Sequence, residues 1–353
     1  MIHRSLRRVQ PATLTSARRL AISRDCTKAF SSITNDNLEV TPAVTTPLFS
    51  FGVIADIQYV DAPDAMNFQN TTMRRYRQSF NIFKDAISSW DSLITPPKCA
   101  IVLGDILDGK SATMMNQEKC INDVLEASKA VDYEMLYCFG NHCHYSFSRN
   151  DLHTKLSPSF LRSNEKEKEN ENKNENEKSS LGGVCSPQKL YYDWAPYEGW
   201  RFISLDCYDI SLIGSSTLEN KKIAEDLLAK NNPNDLTIGS GWFNGLTYNM
   251  RRWVPYNGGI SKEQIIWLQN VLFKSSELNE KVVIFCHQPV YAPNKPQSLV
   301  WNAEEILEVI RKHGNVVMWM AGHDHGGQVI LLLHIVKCFR IEIEILHIIM
   351  TNI

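Results

Sequence analysis

The chain has 353 residues, 43% of them apolar, enough to bury the core of one large α/β domain or two small ones. Lysine and arginine total 37 against 39 acidic residues, so no bulk positive field draws nucleic acid or an anionic membrane to its surface, and neither is expected as a partner. Nine cysteines stand singly, without the paired spacing of a zinc knuckle or a redox motif, which fits a reducing intracellular compartment.

Residues 1–47 are polar and lack periodic apolar positions, so they read as a disordered leader outside the core. Arg4, Arg7, Arg8, Arg18, Arg19 and Arg24 precede the first acid, Asp25. That composition suits a transit peptide, which would place the protein in a mitochondrion or plastid; a plain basic leader would leave it in the cytoplasm.

The domain is expected to begin at residue 48. Short apolar runs that read as buried strands then alternate with amphipathic stretches, the pattern of an α/β sandwich with covered sheets. LFSFGVIAD, CAIVLGD, MLYCFGN, RFISLD, KVVIFCH and NVVMWMAGH are the predicted strands. RRYRQSFNIFKDAISSW, NQEKCINDVLEASKAV and SKEQIIWLQNVLF space their apolar residues by three and four and predict helices. Residues 164–178 contain only asparagine, glutamate and lysine and are expected to form a disordered insertion. The apolar stretch 329–339 is too short for a membrane span and carries Lys337, so a soluble protein is expected.

The predicted strands end in polar residues able to hold a metal: Asp56 and Gln58 in ADIQ, Asp105 and Asp108 in GDILDG, Asn141 and His142 in GNHCH, His287 in FCHQP, His323 and His325 in AGHDH. Ligands collect outside the carboxyl ends of strands in α/β sheets, so these residues can meet at one mouth. Residues two apart on an extended segment point the same way, which would let Asp56 with Gln58, and His323 with His325, each present a pair. Carboxylate and amide oxygens mixed with imidazole suit manganese, iron or zinc in a catalytic site rather than a structural zinc. An aspartate placed between two such ions can bridge them, and Asp105 is the candidate. Any one of these motifs alone is more often a turn or a satisfied core group; their joint order is what points to chemistry.

The ordered set DxQ, GDxxD, GNH, H and GHxH resembles the calcineurin-like metallophosphoesterase superfamily over residues 48–327. Glutamine in place of the usual histidine at position 58, together with MNFQ, GDILDG, YSFSRND, LDCYD and NGGISKEQIIWL, is similar to the manganese-dependent ADP-ribose/CDP-alcohol diphosphatases. The resemblance implies an α/β fold, a four-layer β-sandwich flanked by helices, with the C-terminal part incomplete. It further implies two divalent ions, manganese first and zinc or iron as alternatives. One would be held by Asp56, Gln58, Asp105 and His325, the other by Asp105, Asn141, His287 and His323. His142 would then act as general acid toward the leaving phosphate or stabilise its charge, with Asp108 fixing its ring. The implied substrate is a small nucleotide diphosphate, ADP-ribose or a CDP-alcohol of the CDP-choline type. A hydroxide held by the two metals would cleave it to AMP or CMP and a phosphorylated product. A monomer is expected.

Arg74 and Arg75 are further candidates for phosphate or ribose, although an arginine on a helix face is more often a solvated charge. Tyr208, Asp209 and residues 257–259 either line the cleft or form a strand-end turn and helix entry, with Ser261 as cap and Gln264 completing a capping box.

Two departures bear on activity. Cys143 replaces the carboxylate that follows GNH in much of the superfamily, leaving Asp108 or His144 to orient His142. Beyond residue 327, the segment 328–353 matches nothing in the family and reads as an atypical hydrophobic tail with the composition of an aggregation-prone edge strand. Another phosphoesterase on the same scaffold, a protein phosphatase or a nuclease, therefore stays open, as does an inactive truncated form. Gly109 and Lys110 after GDILD disfavour the Ser/Thr protein phosphatases, which carry an arginine there.

Overall fold

A computed structural model of the chain describes residues 49–67, 70–161, 185–293, 295–325 and 348–350, all within the unit Pro47–Ile353. The expected leader, the 164–178 insertion and most of the expected tail lie outside the described residues.

Two four-stranded sheets organise these residues, beside two short antiparallel pairs, β2 (Ala65–Met66) with β3 (Met73–Arg74) and β8 (Ile210–Ser211) with β9 (Gly258–Gly259). The first has the order β12-β1-β4-β5, built from Ile348–Met350, Gly52–Ala55, Cys99–Val102 and Glu134–Tyr137, with every neighbour parallel. The second has the order β11-β10-β7-β6, from Val316–Ala321, Lys281–Cys286, Trp200–Ser204 and Tyr192–Tyr197. Here β10 runs parallel to β7 and β11, while β6 pairs antiparallel with β7. The β6–β7 hairpin turns at Gly199, whose φ of +71° suits glycine. β6 was not among the expected strands: Pro196 and the aromatic-rich YYDWAPY hide its alternation.

Period-two alternation sorts the second sheet's side chains into two cores. Phe202, Val283, Phe285 and Met320 face Val53, Ile101 and Leu136 of the first sheet, closing a sandwich. Ile203, Val282, Ile284 and Cys286 point the other way, against Ile265, Leu268 and Leu272 of the helix Lys262–Glu277 and Ile306, Val309 and Ile310 of the helix Ala303–His313. The first sheet's core is completed by Phe83, Ile87 and Trp90 of the helix Tyr76–Asp91 and by Ile121 and Val124 of the helix Gln117–Ser128. Helix, sheet, sheet and helix make the four layers expected.

The expected strands and helices form with boundaries shifted by a few residues. The helix Ala303–His313 was not anticipated, although it carries Glu304 and Glu305 in its first turn, Arg311 and Lys312 in its last, and Gly314 at φ +69° beyond. Ile348–Met350, from the tail expected to match nothing, lies beside β1 at the edge of the first sheet. Among the described residues no helix is long and apolar enough to cross a membrane.

Candidate metal centre

The mouth of the sandwich is where β1, β4, β5, β10 and β11 end, and each end delivers its polar residue there. The chain does not leave these strands in extended form. Asp56, Gln58, Asp105 and His323 have φ of 51°, 45°, 48° and 66°, in the left-handed region that costs a side-chain-bearing residue roughly 1–3 kcal/mol. The i, i+2 pairing expected from an extended segment is thus corrected: Asp56 and Gln58 meet because the backbone turns at both. The turned segment is anchored to the neighbouring strand end, Gln58 N–H donating to Asp105 O (2.8 Å) and Tyr59 N–H to Ile106 O (3.1 Å).

The side chains converge around Asp105, which is 1% exposed. Its Oδ2 lies 3.3 Å from Gln58 Nε2 and 3.5 Å from His287 Nε2. Its Oδ1 accepts the His142 N–H at 2.8 Å. On one side, Gln58 Nε2 stands 3.3 Å from His325 Nε2, and His325 Nε2 lies 3.4 Å from Asp56 Oδ1. On the other, His287 Nε2 stands 3.1 Å from His323 Nδ1, and Asp105, His287 and His323 place one donor atom each within 4.8 Å of one another. Asp56, Gln58 and His325 thus gather on one flank of Asp105, and His287 and His323 on the other. Asn141 is buried beside the second flank at the start of the helix Asn141–Ser146, its Oδ1 accepting from the Tyr208 hydroxyl at 3.3 Å.

The donor set fits a cation. His287 Nδ1 lies 2.8 Å from the Leu103 carbonyl, and His323 Nε2 lies 2.8 Å from Asn257 Oδ1, so each ring donates outward from that nitrogen. The lone pairs left on His287 Nε2 and His323 Nδ1 then face each other and the Asp105 carboxylate with no proton among them. Without a metal a proton takes the place. Burial pushes His287 down, but Asp105, helped by Asp56, outweighs it and raises His287 to about 9. Burial and the neighbouring His287 hold His323 well below its usual value. Asp105 is raised by burial, yet His287 and His142 hold it far below the carboxylate range. Burial lowers His325, and Asp56 more than reverses this.

Glycines before the ligands make this approach possible. A Cβ on Gly140 would sit 2.1 Å from Asp105 Oδ1 and 2.6 Å from His287 Nε2; one on Gly322 would sit 2.6 Å from Asp56 Oδ2. The GN and GH pairs of the motifs are therefore steric requirements of the cluster.

His142 lies at its rim. Gly109 N–H donates to His142 Nδ1 at 2.8 Å, which leaves the proton of the neutral ring on Nε2. Burial lowers its pKa against the opposing pull of Asp105 and Asp108. The nearest oxygen of Asp108 is 3.7 Å away, and that carboxylate is engaged by Arg74 and, at 2.8 Å, by the Lys110 N–H. The orienting bond expected from Asp108 or His144 comes instead from Gly109. His144 packs against Gly214 and Tyr208, its pKa pushed down to about 3 by burial and Arg149, and burial pushes the Cys143 thiol up to about 12.

The arginine pair is divided. Arg74 turns inward onto Asp108, close enough to act on His142 and His325, whereas Arg75 reaches Gln78 on the surface. Asp209 is structural, accepting from Ser261 N–H (3.2 Å) and Gln264 Nε2 (3.1 Å). Ser261 caps its helix, but the capping box is corrected. Gln264 points away, bonding the Asp206 N–H and carbonyl at 2.8 and 3.0 Å, and Asp209 occupies the Ser261 N–H in its place. Gln288, directly after His287 in FCHQP, had no expected role; only tertiary structure shows it beside Tyr208 and Asn257.

The family model described as calcineurin-like phosphoesterase matches residues 49–327. The manganese-dependent ADP-ribose/CDP-alcohol diphosphatase of Bos taurus is 38% identical over 285 residues, covering 79% of each chain. The protein of the same name from Homo sapiens is 36% identical over 285 residues, 79% of this chain and 78% of that one. Among solved structures, a dimetal phosphatase from Danio rerio superposes with a TM-score of 0.65 at 33% identity, covering 80% of this chain and 83% of that one.

Proposed function

The chain belongs to the calcineurin-like phosphoesterase family, and from that premise we propose that it hydrolyses the diphosphate bond of ADP-ribose and of CDP-alcohols, giving AMP or CMP and a phosphorylated product. The observation that carries the proposal is the position of Asp105, with one group of donors on each flank. Asp56, Gln58, Asp105 and His325 would hold one divalent ion, and Asp105, Asn141, His287 and His323 the other. The curated relatives are named for manganese, and Gln58, with its amide turned so that oxygen replaces the Nε2 facing Asp105, would add a hard donor among carboxylates and imidazoles that suits that ion. Bound divalent ions supply Lewis acidity toward a phosphoryl group.

The protein's own contribution is orientation and charge. Gly109 keeps the His142 proton on Nε2, ready to donate to oxygen on the departing phosphate. Asp108 holds Arg74 at the same rim, where a guanidinium can take a non-bridging phosphate oxygen. The Asp105 carboxylate is kept in place by the His142 N–H, so the acceptor facing both flanks does not have to be ordered at the moment of reaction.

The test is to strip the full-length chain of metal and assay ADP-ribose and CDP-choline with manganese restored. Manganese-dependent release of AMP and CMP, abolished in Asp105→Asn and His142→Ala, is the expected result. A folded chain that takes up manganese and leaves both substrates intact overturns the assignment.

A further inference from the structure

Asn257 is 0% exposed, and burying an amide costs free energy unless both of its ends are hydrogen-bonded. Its Nδ2 lies 2.9 Å from the Arg252 carbonyl and 2.8 Å from the Gln297 carbonyl. Only the NH2 end can meet two carbonyls, so the orientation of this amide is fixed, and Oδ1 stands as an acceptor 2.8 Å from His323 Nε2. The carbonyls that hold it are anchored in turn. Arg252 ends the short 3-10 turn Tyr248–Arg252, and its carbonyl also accepts from Nε1 of the buried Trp301 at 3.0 Å. Gln297 lies inside the 3-10 turn Pro296–Ser298, closed by the Ser298 N–H on the Lys295 carbonyl at 3.0 Å. The backbone of Asn257 is tied as well, its N–H donating to Val254 O at 3.1 Å. Neither orientation of the neighbouring Gln288 amide alters any of these bonds.

We infer that Asn257 is a positioning residue for His323, setting its ring so that Nδ1 presents a lone pair to a divalent ion. The inference rests on the metal-site reading above. His323 stands just past β11 at a φ of 66°, and its N–H is held by the Asp56 carboxylate oxygens at 3.2 and 3.1 Å. Those bonds fix the backbone and leave the side-chain torsions open. The rings of His287 and Tyr256, with centroids 4.8 and 5.7 Å away, restrict the plane of the imidazole but do not distinguish its two nitrogens. The bond to Asn257 does. An acceptor at Nε2 keeps the proton on that nitrogen, which leaves the lone pair on Nδ1, the atom 3.1 Å from His287 Nε2 on the side of Asp105. With an apolar side chain at position 257 the ring loses that acceptor, and a proton that moves to Nδ1 occupies the lone pair the ion needs.

The experiment reads the tautomer directly, by long-range proton–nitrogen NMR of the metal-free full-length chain carrying isotope-labelled histidine, with His323→Gln to identify the ring's signals. Asn257→Leu keeps much of the volume and removes both ends of the amide. The expected result is a wild-type His323 protonated at Nε2 and bare at Nδ1. In Asn257→Leu some or all of the proton is expected at Nδ1, with manganese bound about 10- to 100-fold more weakly in equilibrium dialysis. Thermal unfolding of the metal-free variant measures the lost packing separately, since a purely structural Asn257 would lower the melting temperature and leave the tautomer alone. A wild-type ring protonated at Nδ1, a variant that keeps the proton on Nε2, or a variant with wild-type manganese affinity overturns the inference and leaves the metal site standing. A wild-type chain that takes up no manganese overturns the metal-site reading itself. Should Asn257→Leu fail to fold, Asn257→Ala makes the same comparison, and a wild-type proton on Nδ1 overturns the inference without any variant.

Discussion

The backbone N–H of Gly109 donates to Nδ1 of His142 across 2.8 Å, and this bond determines which ring nitrogen carries the proton toward the cleft. On the function proposed above, His142 would act as a proton donor and not as a metal ligand. Replacing it with alanine is expected to lower turnover about 10²- to 10⁴-fold while leaving manganese uptake intact. Steady-state kinetics paired with dialysis checks this; loss of an ion in His142→Ala would make the residue a ligand.

Gly140 lies where any side chain would collide with the cluster, its hypothetical Cβ 2.1 Å from Asp105 Oδ1. Gly140→Ala is expected to displace that carboxylate, cost about 1–3 kcal/mol of stability and abolish tight metal binding. Denaturant unfolding and manganese titration measure the two effects separately. A variant with wild-type affinity would show that the carboxylate has room to move.

Divalent ions should stabilise the fold, since they would bind the folded arrangement of His287, His323 and Asp105, displacing the proton held there, and not the unfolded chain. At free manganese 100 times the dissociation constant the gain is about 2.7 kcal/mol per site. Thermal unfolding with and without a chelator should show it, and Asp105→Asn should remove the shift. Equal melting temperatures in both conditions would speak against a bound cation.

Gln264 distinguishes a capping box from the arrangement found. A box tolerates glutamate at that position, but Gln264 Nε2 donates to Asp209 Oδ2 at 3.1 Å, so Gln264→Glu would bring two buried carboxylates together. A loss of about 3 kcal/mol is expected by denaturant unfolding, against about 1 kcal/mol for Ser261→Ala. A neutral Gln264→Glu would restore the box.

Arg74 and Arg75 are adjacent and chemically identical, yet only Arg74 meets Asp108. Arg74→Ala is expected to raise KM for a diphosphate about tenfold or more, and Arg75→Ala to leave it unchanged. Indistinguishable KM values for the two variants would remove Arg74 from the phosphate's path.

Motif order alone brought out Asp56, Gln58, Asp105, Asn141, His287, His323 and His325 as one group, because each follows a buried apolar run, and such runs form strands whose ends share a mouth. The unbroken apolar run Val282, Val283, Ile284 and Phe285 likewise made a covered strand legible in the sequence, and in the fold its alternate residues enter the two cores. The left-handed turns at Asp56, Gln58, Asp105 and His323 were not legible, since φ above zero is uncommon even at aspartate and histidine and rarer at glutamine; the surrounding packing imposes it. The same holds for Gly109 as the partner of His142, for Gln264 turning to Asp206, and for Gln288 lying against Tyr208. Chemistry-bearing residues announce themselves by type and spacing along the chain, whereas hydrogen bonds between residues 33, 58 or 80 positions apart exist only once the strands have paired and the helices have packed onto them.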